Sequence, residues 1–346
     1  MINKKRIIGL ILIVVILVGG GSAYAFRSQI RAAIDTISGA DYQGSGSGTA
    51  TLVINSGDTG EQVAGALVEA GITKNFSYTF KRIIARNEQF VPGTFTLRLQ
   101  MSTDSALDLI RDPKSKVVTR VTVKEGLRIG NVLRVLSKAS GISVADFEKA
   151  VADPTVYGLP SNLPNMDGYL FPATYDLEPG ATAKSIISSM VDRMNVEMKK
   201  FSVSKADRHK VLTLASIIQK EARLQPDFYK VSRVFLNRID QGMKLQSDAT
   251  VSYGSGGTTV TTTDAERADT NGYNTYVHAG LPVGPIGAPG ATAIDAALHP
   301  AAGSWLYFCA INLKTGETVF STTYADHGKA VKQWQQWMRE NPGWNG

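Results

Sequence analysis

Leu214-Ala215-Ser216-Ile217-Ile218-Gln219-Lys220-Glu221-Ala222 is the stretch from which the rest of this chain is best read. Leu214, Ile217 and Ile218 recur at i, i+3 and i+4, the spacing of one apolar face on a helix. Glu221 lies three residues after Ile218 and four after Ile217, so a carboxylate stands where the period calls for an apolar side chain. Upstream, Ser204-Lys205-Ala206-Asp207 is close to a capping box, and the predicted helix runs from Lys205 to Ala222. If protein walls that position, desolvation raises the carboxyl pKa and keeps the group protonated near neutral pH. A protonated glutamate is what a general acid requires. The alternative is an exposed helix end with Glu221 on the surface.

Working outward, further helices are predicted at Ala183–Phe201 and about Tyr229–Gln241. Asp167-Gly168-Tyr169-Leu170-Phe171-Pro172-Ala173-Thr174-Tyr175 reads as an aromatic-rich turn, and Gly254–Asn274, rich in Thr, Gly and Ser, as a long loop. The Gly- and Pro-rich run from Gly280 to Gly290 is irregular, and so much irregular chain inside a domain is expected to shape a cleft. Trp305-Leu306-Tyr307-Phe308 and Thr318-Val319-Phe320 read as strands, and a closing helix begins near Asp326.

Toward the N-terminus a weak repeat appears. Val53-Ile54-Asn55-Ser56-Gly57, with Val63, Leu67 and Gly71-Ile72, aligns with Thr122-Val123-Lys124-Glu125-Gly126, Val132, Leu136 and, after one inserted residue, Gly141-Ile142. Each copy reads as a strand, a glycine turn and a helix. The first copy continues through a second helix, about Ser77–Ala85, to a strand around Phe95–Leu99. This β-α-α-β unit resembles LysM modules, which bind cell-wall glycan; a small packing domain without a ligand is the other reading.

The first residues fix the compartment. Lys4, Lys5 and Arg6 precede an uncharged run from Ile7 to Phe26, and twenty helical residues span about 30 Å, the depth of a bilayer core. The basic flank favours a cytoplasmic N-terminus with the rest of the chain outside. A signal peptide cleaved after Ala23-Tyr24-Ala25 is the competitor, and both readings export the protein. The Gly/Ser stretch from Gly44 to Thr49 then reads as a flexible spacer.

The expected organisation is an α+β protein with a cytoplasmic tail (1–6), a transmembrane helix (7–26) and a flexible linker (27–50). A LysM-like module (51–115) follows, and then a larger mixed catalytic domain (116–346) that includes the second half-repeat at about 119–142.

Composition excludes other classes. At 346 residues the chain is long enough for about two domains with real cores. The single cysteine, Cys309, rules out a disulfide framework and a cysteine zinc site, and no cysteine near residue 26 could carry a lipid. The four histidines, His209, His278, His299 and His327, match no metal-binding spacing, so neither metal nor cofactor is expected. No Walker loop, GxGxxG or GxSxG occurs. The net charge is +7, but residues 1–50 carry five basic and two acidic side chains, leaving only +4 for residues 51–346. With no basic stripe and an exported chain, nucleic acid is not an expected partner.

Several runs together are similar to the endolytic murein transglycosylase (YceG-like) family of bacterial cell-wall enzymes. They are Asp167-Gly168-Tyr169-Leu170-Phe171-Pro172, Leu214 to Ala222, and Val234-Phe235-Leu236-Asn237-Arg238. Gly242-Met243-Lys244-Leu245-Gln246-Ser247-Asp248, Tyr273-Asn274-Thr275-Tyr276, Gly280-Leu281-Pro282 and Pro285-Ile286 continue the series. Ile294-Asp295-Ala296-Ala297-Leu298 and Phe320-Ser321-Thr322-Thr323 complete it. The family often has Glu-Gly where this chain has Asp167-Gly168, and two glutamates where it has Gln219 and Glu221. No role is carried onto Ala288, where the family tends to have a polar residue.

The resemblance implies cleavage of the β-1,4 bond between N-acetylmuramic acid and N-acetylglucosamine in peptidoglycan, leaving 1,6-anhydro ends. It implies Glu221 as the catalytic acid and base. Gln246, Ser247, Asn274 and Tyr276 are expected to bind sugars, with Asp248 holding a loop or acting as a second carboxylate. Glycan strands, the cytoplasmic membrane and cell-wall synthases are the expected partners. A non-catalytic wall-binding protein and a hydrolytic muramidase are the competing readings.

Overall fold

The computed structural model describes residues 41–257 and 262–343. Two compact units divide the chain, Met1–Thr119 and Arg120–Gly346. Among the described residues there are twelve helices and three two-stranded sheets, a mixed α+β architecture as expected. The expected tail (1–6), membrane span (7–26) and the first part of the linker lie outside the described residues. Among the described residues no helix is long and apolar enough to cross a membrane.

In the first unit, β1 (Ser47–Ile54), α1 (Gly60–Glu69), α2 (Phe76–Ala85) and β2 (Gly93–Leu99) follow in the expected β-α-α-β order, and α3 (Thr103–Arg111) closes the unit. β1 and β2 are antiparallel, with Leu52 opposite Phe95 and Ile54 opposite Gly93. Alternation sends Ala50, Leu52 and Ile54 inward, onto Val63, Leu67, Ile83 and Leu107. Local chemistry starts each helix: a Thr59–Gln62 capping box for α1 and the Asn75 side chain for α2.

The spacer expected to run to residue 50 ends earlier. β1 begins at Ser47, the Asp41 carboxylate accepts from the Thr103 N–H (2.9 Å) and hydroxyl (3.1 Å), and Gly44 O accepts from Ser102 N–H at 2.9 Å. Gly46 has φ +70°, and a Cβ there would come within 2.4 Å of Leu99 O. Its glycine is therefore a packing requirement of a close backbone approach, not a sign of looseness.

The second unit begins with β3 (Thr119–Thr122), α4 (Ile129–Ser140), α5 (Val144–Val151) and β4 (Thr174–Leu177). The half-repeat keeps its helix, which buries Val132, Leu133 and Leu136 and ends on left-handed Gly141. Its strand, however, pairs with β4, so the second copy does not close a module of its own. Next come α6 (Ala183–Lys200), α7 (Arg208–Glu221), α8 (Gln225–Asp240), α9 (Asp248–Gly254) and α10 (Asp264–Ala268). The unit ends with α11 (Ala291–Leu298), β5 (Tyr307–Asn312), β6 (Glu317–Ser321) and α12 (Tyr324–Glu340). The stretch read as a loop over Gly254–Asn274 contains α10, started by a Thr263–Glu266 capping box.

α7 forms the centre of this unit and packs on α8, α9 and α11. Every residue from Val211 to Ile218 is buried. The one-sided stripe understates this helix, which is enclosed on all faces, as expected of a central helix rather than a surface one. Two of its polar side chains pin the irregular Gly/Pro segment. Ser216 Oγ accepts from Ile286 N–H at 3.0 Å and Gln219 Oε1 accepts from Gly290 N–H at 2.9 Å. Gly126 N–H and Ala288 O pair at 2.7 Å, and Ala288 N–H and Leu127 O at 2.9 Å, so the segment is also laced to the turn after β3. Its conformation is thus set by contacts far away in sequence.

Candidate active site

Glu221 is the last residue of α7. It is partly accessible as a residue, while its carboxyl group is packed within protein. Desolvation raises its pKa; the Ser247 hydroxyl opposes that shift and the Asp248 charge adds to it. Ser247 Oγ donates to Glu221 Oε1 at 2.5 Å.

The position of Ser247 is informative. It is the N-cap of α9, where a serine hydroxyl ordinarily accepts from the helix's own N–H groups, yet it makes no such bond. The hydroxyl is turned to the carboxyl group of α7 instead. Its backbone is fixed by Thr275, whose Oγ1 accepts from Ser247 N–H at 3.1 Å, and by the Thr250 hydroxyl, which donates to Ser247 O at 2.7 Å. The preceding residue, Gln246, has φ +52°, a left-handed conformation costly for any side chain larger than glycine. A helix cap left unused beside a strained residue marks a place where local preference yields to site geometry.

Asp248 follows immediately. Its Oδ1 accepts from Thr262 Oγ1 (2.7 Å), Tyr276 OH (3.0 Å) and Arg267 Nε (3.3 Å). The Arg267 guanidinium also lies over the Tyr276 ring, 5.3 Å from its centroid. Burial, and then the Asp248 charge, push the Tyr276 phenol up to about 12, so it remains a neutral donor to Asp248.

Of the expected site residues, the fold brings Glu221, Ser247, Asp248 and Tyr276 together. Gln246 is exposed beside them, its Oε1 accepting from Arg238 Nη1 at 3.4 Å. Asn274 has another place: it is 0% exposed, and its amide nitrogen donates to the carbonyls of Glu266, Arg267 and Asp269. Its Oδ1 accepts from Tyr276 N–H at 2.9 Å, so Asn274 braces the loop that carries Tyr276 and is itself part of the buried scaffold. Arg267, Thr262 and Thr275 were not legible as site residues. The capping box at Thr263 was the signal that a helix, and so a fixed Arg267, lay within the apparent loop.

A second buried carboxyl group supports the neighbouring wall. Asp167 Oδ1 accepts from Ile129 N–H and its Oδ2 from Tyr253 OH, each at 2.7 Å. Burial pushes Asp167 up to about 6 against these hydrogen bonds. It holds the first turn of α4, whose N-cap Arg128 makes no side-chain cap. Among the described residues, no group of three or more His, Cys, Asp or Glu side chains could hold a metal ion.

The two neighbours of Glu221 predict opposite pH effects. Ser247→Ala removes a hydrogen bond that favours the ionised carboxylate, so the Glu221 pKa rises and any rate limb that depends on its protonated form moves to higher pH. Asp248→Asn removes a negative charge that favours the protonated form, so the same limb moves to lower pH. A pH–rate profile of each variant measures this, and shifts in the same direction would contradict it.

A carboxyl group whose pKa is raised by burial and which one hydroxyl engages has the chemistry of a proton donor, here built on a central helix of a mixed α+β unit. Residues 52–333 match the model of the YceG-like family, and the chain belongs to that family. It is 30% identical over 312 residues to the endolytic murein transglycosylase of Bacillus subtilis, a match covering 83% of this chain and 85% of that protein. The endolytic murein transglycosylase of Streptococcus pneumoniae strain D39 is 25% identical over 319 residues, 82% of this chain but 58% of the relative's length. A crystal structure of a yceG-like protein from Listeria monocytogenes is similar with a TM-score of 0.55 and 30% identity, over 82% of this chain and 99% of that one.

Proposed function

We propose that this chain is a membrane-anchored peptidoglycan lytic transglycosylase that cuts within nascent glycan strands. The single observation that carries the reading is the Ser247 hydroxyl, which leaves its own helix uncapped to hold the shifted carboxyl group of Glu221. The names of the bacterial relatives support the substrate class.

One carboxyl group suffices for such a reaction. Protonated Glu221 gives its proton to the glycosidic oxygen as the C1–O bond breaks. The muramic 6-hydroxyl then closes on C1, and its proton returns to the Glu221 carboxylate, which restores the enzyme. No water is consumed. A hydrolase would need a second carboxylate to activate water or attack C1. Asp248 is the neighbouring candidate, but Arg267, Thr262 and Tyr276 already engage its Oδ1. Its place in this reading is to bias Glu221 toward the protonated form and to fix the loop.

In this reading residues 7–26 anchor the enzyme with its N-terminus in the cytoplasm, and the LysM-like unit binds glycan. Cutting strands close to the membrane would end their elongation beside the synthases. Incubation with uncrosslinked glycan, followed by mass measurement of the fragments, tests the chemistry. Anhydro ends, lighter by one water than reducing ends, are the expected product. Reducing ends would make the enzyme a hydrolytic muramidase, and intact strands bound to the protein would make it a wall-binding scaffold.

A further inference from the structure

Three aromatic side chains outside the carboxyl cluster pack together on the second unit, and of these only Tyr324 is exposed. The rings of Tyr307, on β5, and His327, on α12, are stacked with centroids 5.3 Å apart and 21° between planes. Tyr324, the first residue of α12, meets Tyr307 at 5.9 Å and His327 at 6.2 Å. Tyr324 is 73% exposed although it is a large aromatic ring. Its backbone is held by the Thr323 cap, whose hydroxyl oxygen accepts from Asp326 N–H at 3.2 Å, so the ring is presented from a rigid start of a helix.

Hydrogen bonding does not explain this cluster. His327 Nδ1 is buried and has no hydrogen-bond partner among the described residues. Burial, with the Arg238 charge beside it, holds the imidazole pKa below its ordinary value, and the neutral ring stacks as an aromatic surface.

The aromatic cluster is tied to the carboxyl site through one side chain. The Arg238 guanidinium lies over the Tyr307 ring at 5.1 Å. The same group donates to Leu306 O (2.7 Å), Leu245 O (2.8 Å) and Gln246 Oε1 (3.4 Å). Leu245 and Gln246 lead directly into Ser247, which binds Glu221. Arg238 is itself buried, so the aromatic cluster and the segment that carries Ser247 share one rigid support.

We infer that the exposed ring of Tyr324, backed by the stacked Tyr307 and His327, is a pyranose-binding platform that takes one sugar of a glycan strand beyond the residues at the cleavage point. An amino sugar offers one apolar C–H face, which packs on the electron-rich face of an aromatic ring while its hydroxyl and amide groups stay in water. The exposed Tyr324 ring supplies that surface, and the exposed Gln246 side chain accepts from the same Arg238 guanidinium that lies over Tyr307. The occupant follows from continuity with the carboxyl site, and the inference therefore rests on the proposed function.

The full chain carrying Glu221→Gln, which leaves strands intact, is titrated with uncrosslinked glycan strands with and without Tyr324→Ala. Loss of one ring is expected to weaken Kd about three- to tenfold, while Tyr324→Phe, which keeps the ring, matches its parent. In the chain with Glu221 intact, Tyr324→Ala raises KM for long strands by the same factor and leaves kcat unchanged. Because Tyr324 is exposed, its truncation removes little packing, and an unchanged unfolding midpoint checks the fold. Kd and KM within twofold of the parent for Tyr324→Ala overturn the platform even if the enzyme cuts glycan. Tyr324-dependent binding without any cleavage supports the platform and removes only the transglycosylase reading.

Discussion

Glu221→Gln is expected to lower kcat by about 10²- to 10⁴-fold, the range that one positioned acid–base group contributes. Glutamine keeps the size of the side chain and an oxygen that can still accept from Ser247, so the loop, the helix end and glycan binding should persist. What it lacks is the ionisable proton. The loss should appear in kcat with KM nearly unchanged, the signature of an interaction needed in the transition state rather than in substrate binding. Single-turnover assays on uncrosslinked glycan measure it. A variant retaining activity within tenfold of the parent would remove Glu221 from the chemistry and leave Asp248 as the carboxylate to test. The thermal midpoint should hold or rise, because the substitution replaces a desolvated acid with a neutral amide.

The largest effect on stability is expected at Gly168, beside Asp167 in the aromatic turn. Its φ is +79°, and a Cβ built there would lie 2.5 Å from Pro285 Cβ and 2.7 Å from Pro285 Cγ. A left-handed conformation costs an L-residue about 1–2 kcal/mol, and the clash with a rigid proline ring adds about 1–3 kcal/mol. Gly168→Ala should therefore destabilise the second unit by about 2–5 kcal/mol. For a unit of this size that is a fall of roughly 4–20 °C in Tm. Pro285 also precedes Ile286, which donates to Ser216 on the central helix, so displacement of the ring should lower activity as well. Calorimetry of the variant checks the first effect and glycan cleavage the second. A Tm within 2 °C of the parent would show that the turn relaxes around the methyl group.

Much of the fold was legible where its causes are local. The two strands and two helices of the first unit follow from alternation, caps and glycine turns within about fifty residues. The long helices of the second unit were likewise evident from their period, to within a few residues at each end. The stretch from Gly254 to Asn274 was not, because its Thr, Gly and Ser content outweighed a single capping box at Thr263. The spacer ending at Thr49 was misjudged for a related reason. Glycine composition looks the same whether it loosens a chain or, as at Gly46, permits backbone to approach backbone.

The candidate site divides along the same line. Glu221 could be singled out because a carboxylate interrupting an apolar period is a local anomaly, visible in nine residues. Asn274 and Tyr276 come from one short run, yet one is buried in the scaffold and the other meets Asp248. Nothing in their spacing separates those fates.

By itself, then, the sequence determined the order of the longer elements and the one carboxylate out of place on a helix, because period, caps and turns act between near neighbours. Only the tertiary structure decided what that carboxylate touches. Ser247 could cap α9 or hold Glu221, and the choice depends on α7 and α9 being brought together across 26 positions. Such contacts arise from the path of the whole chain, where burial and long-range hydrogen bonds outweigh local preference.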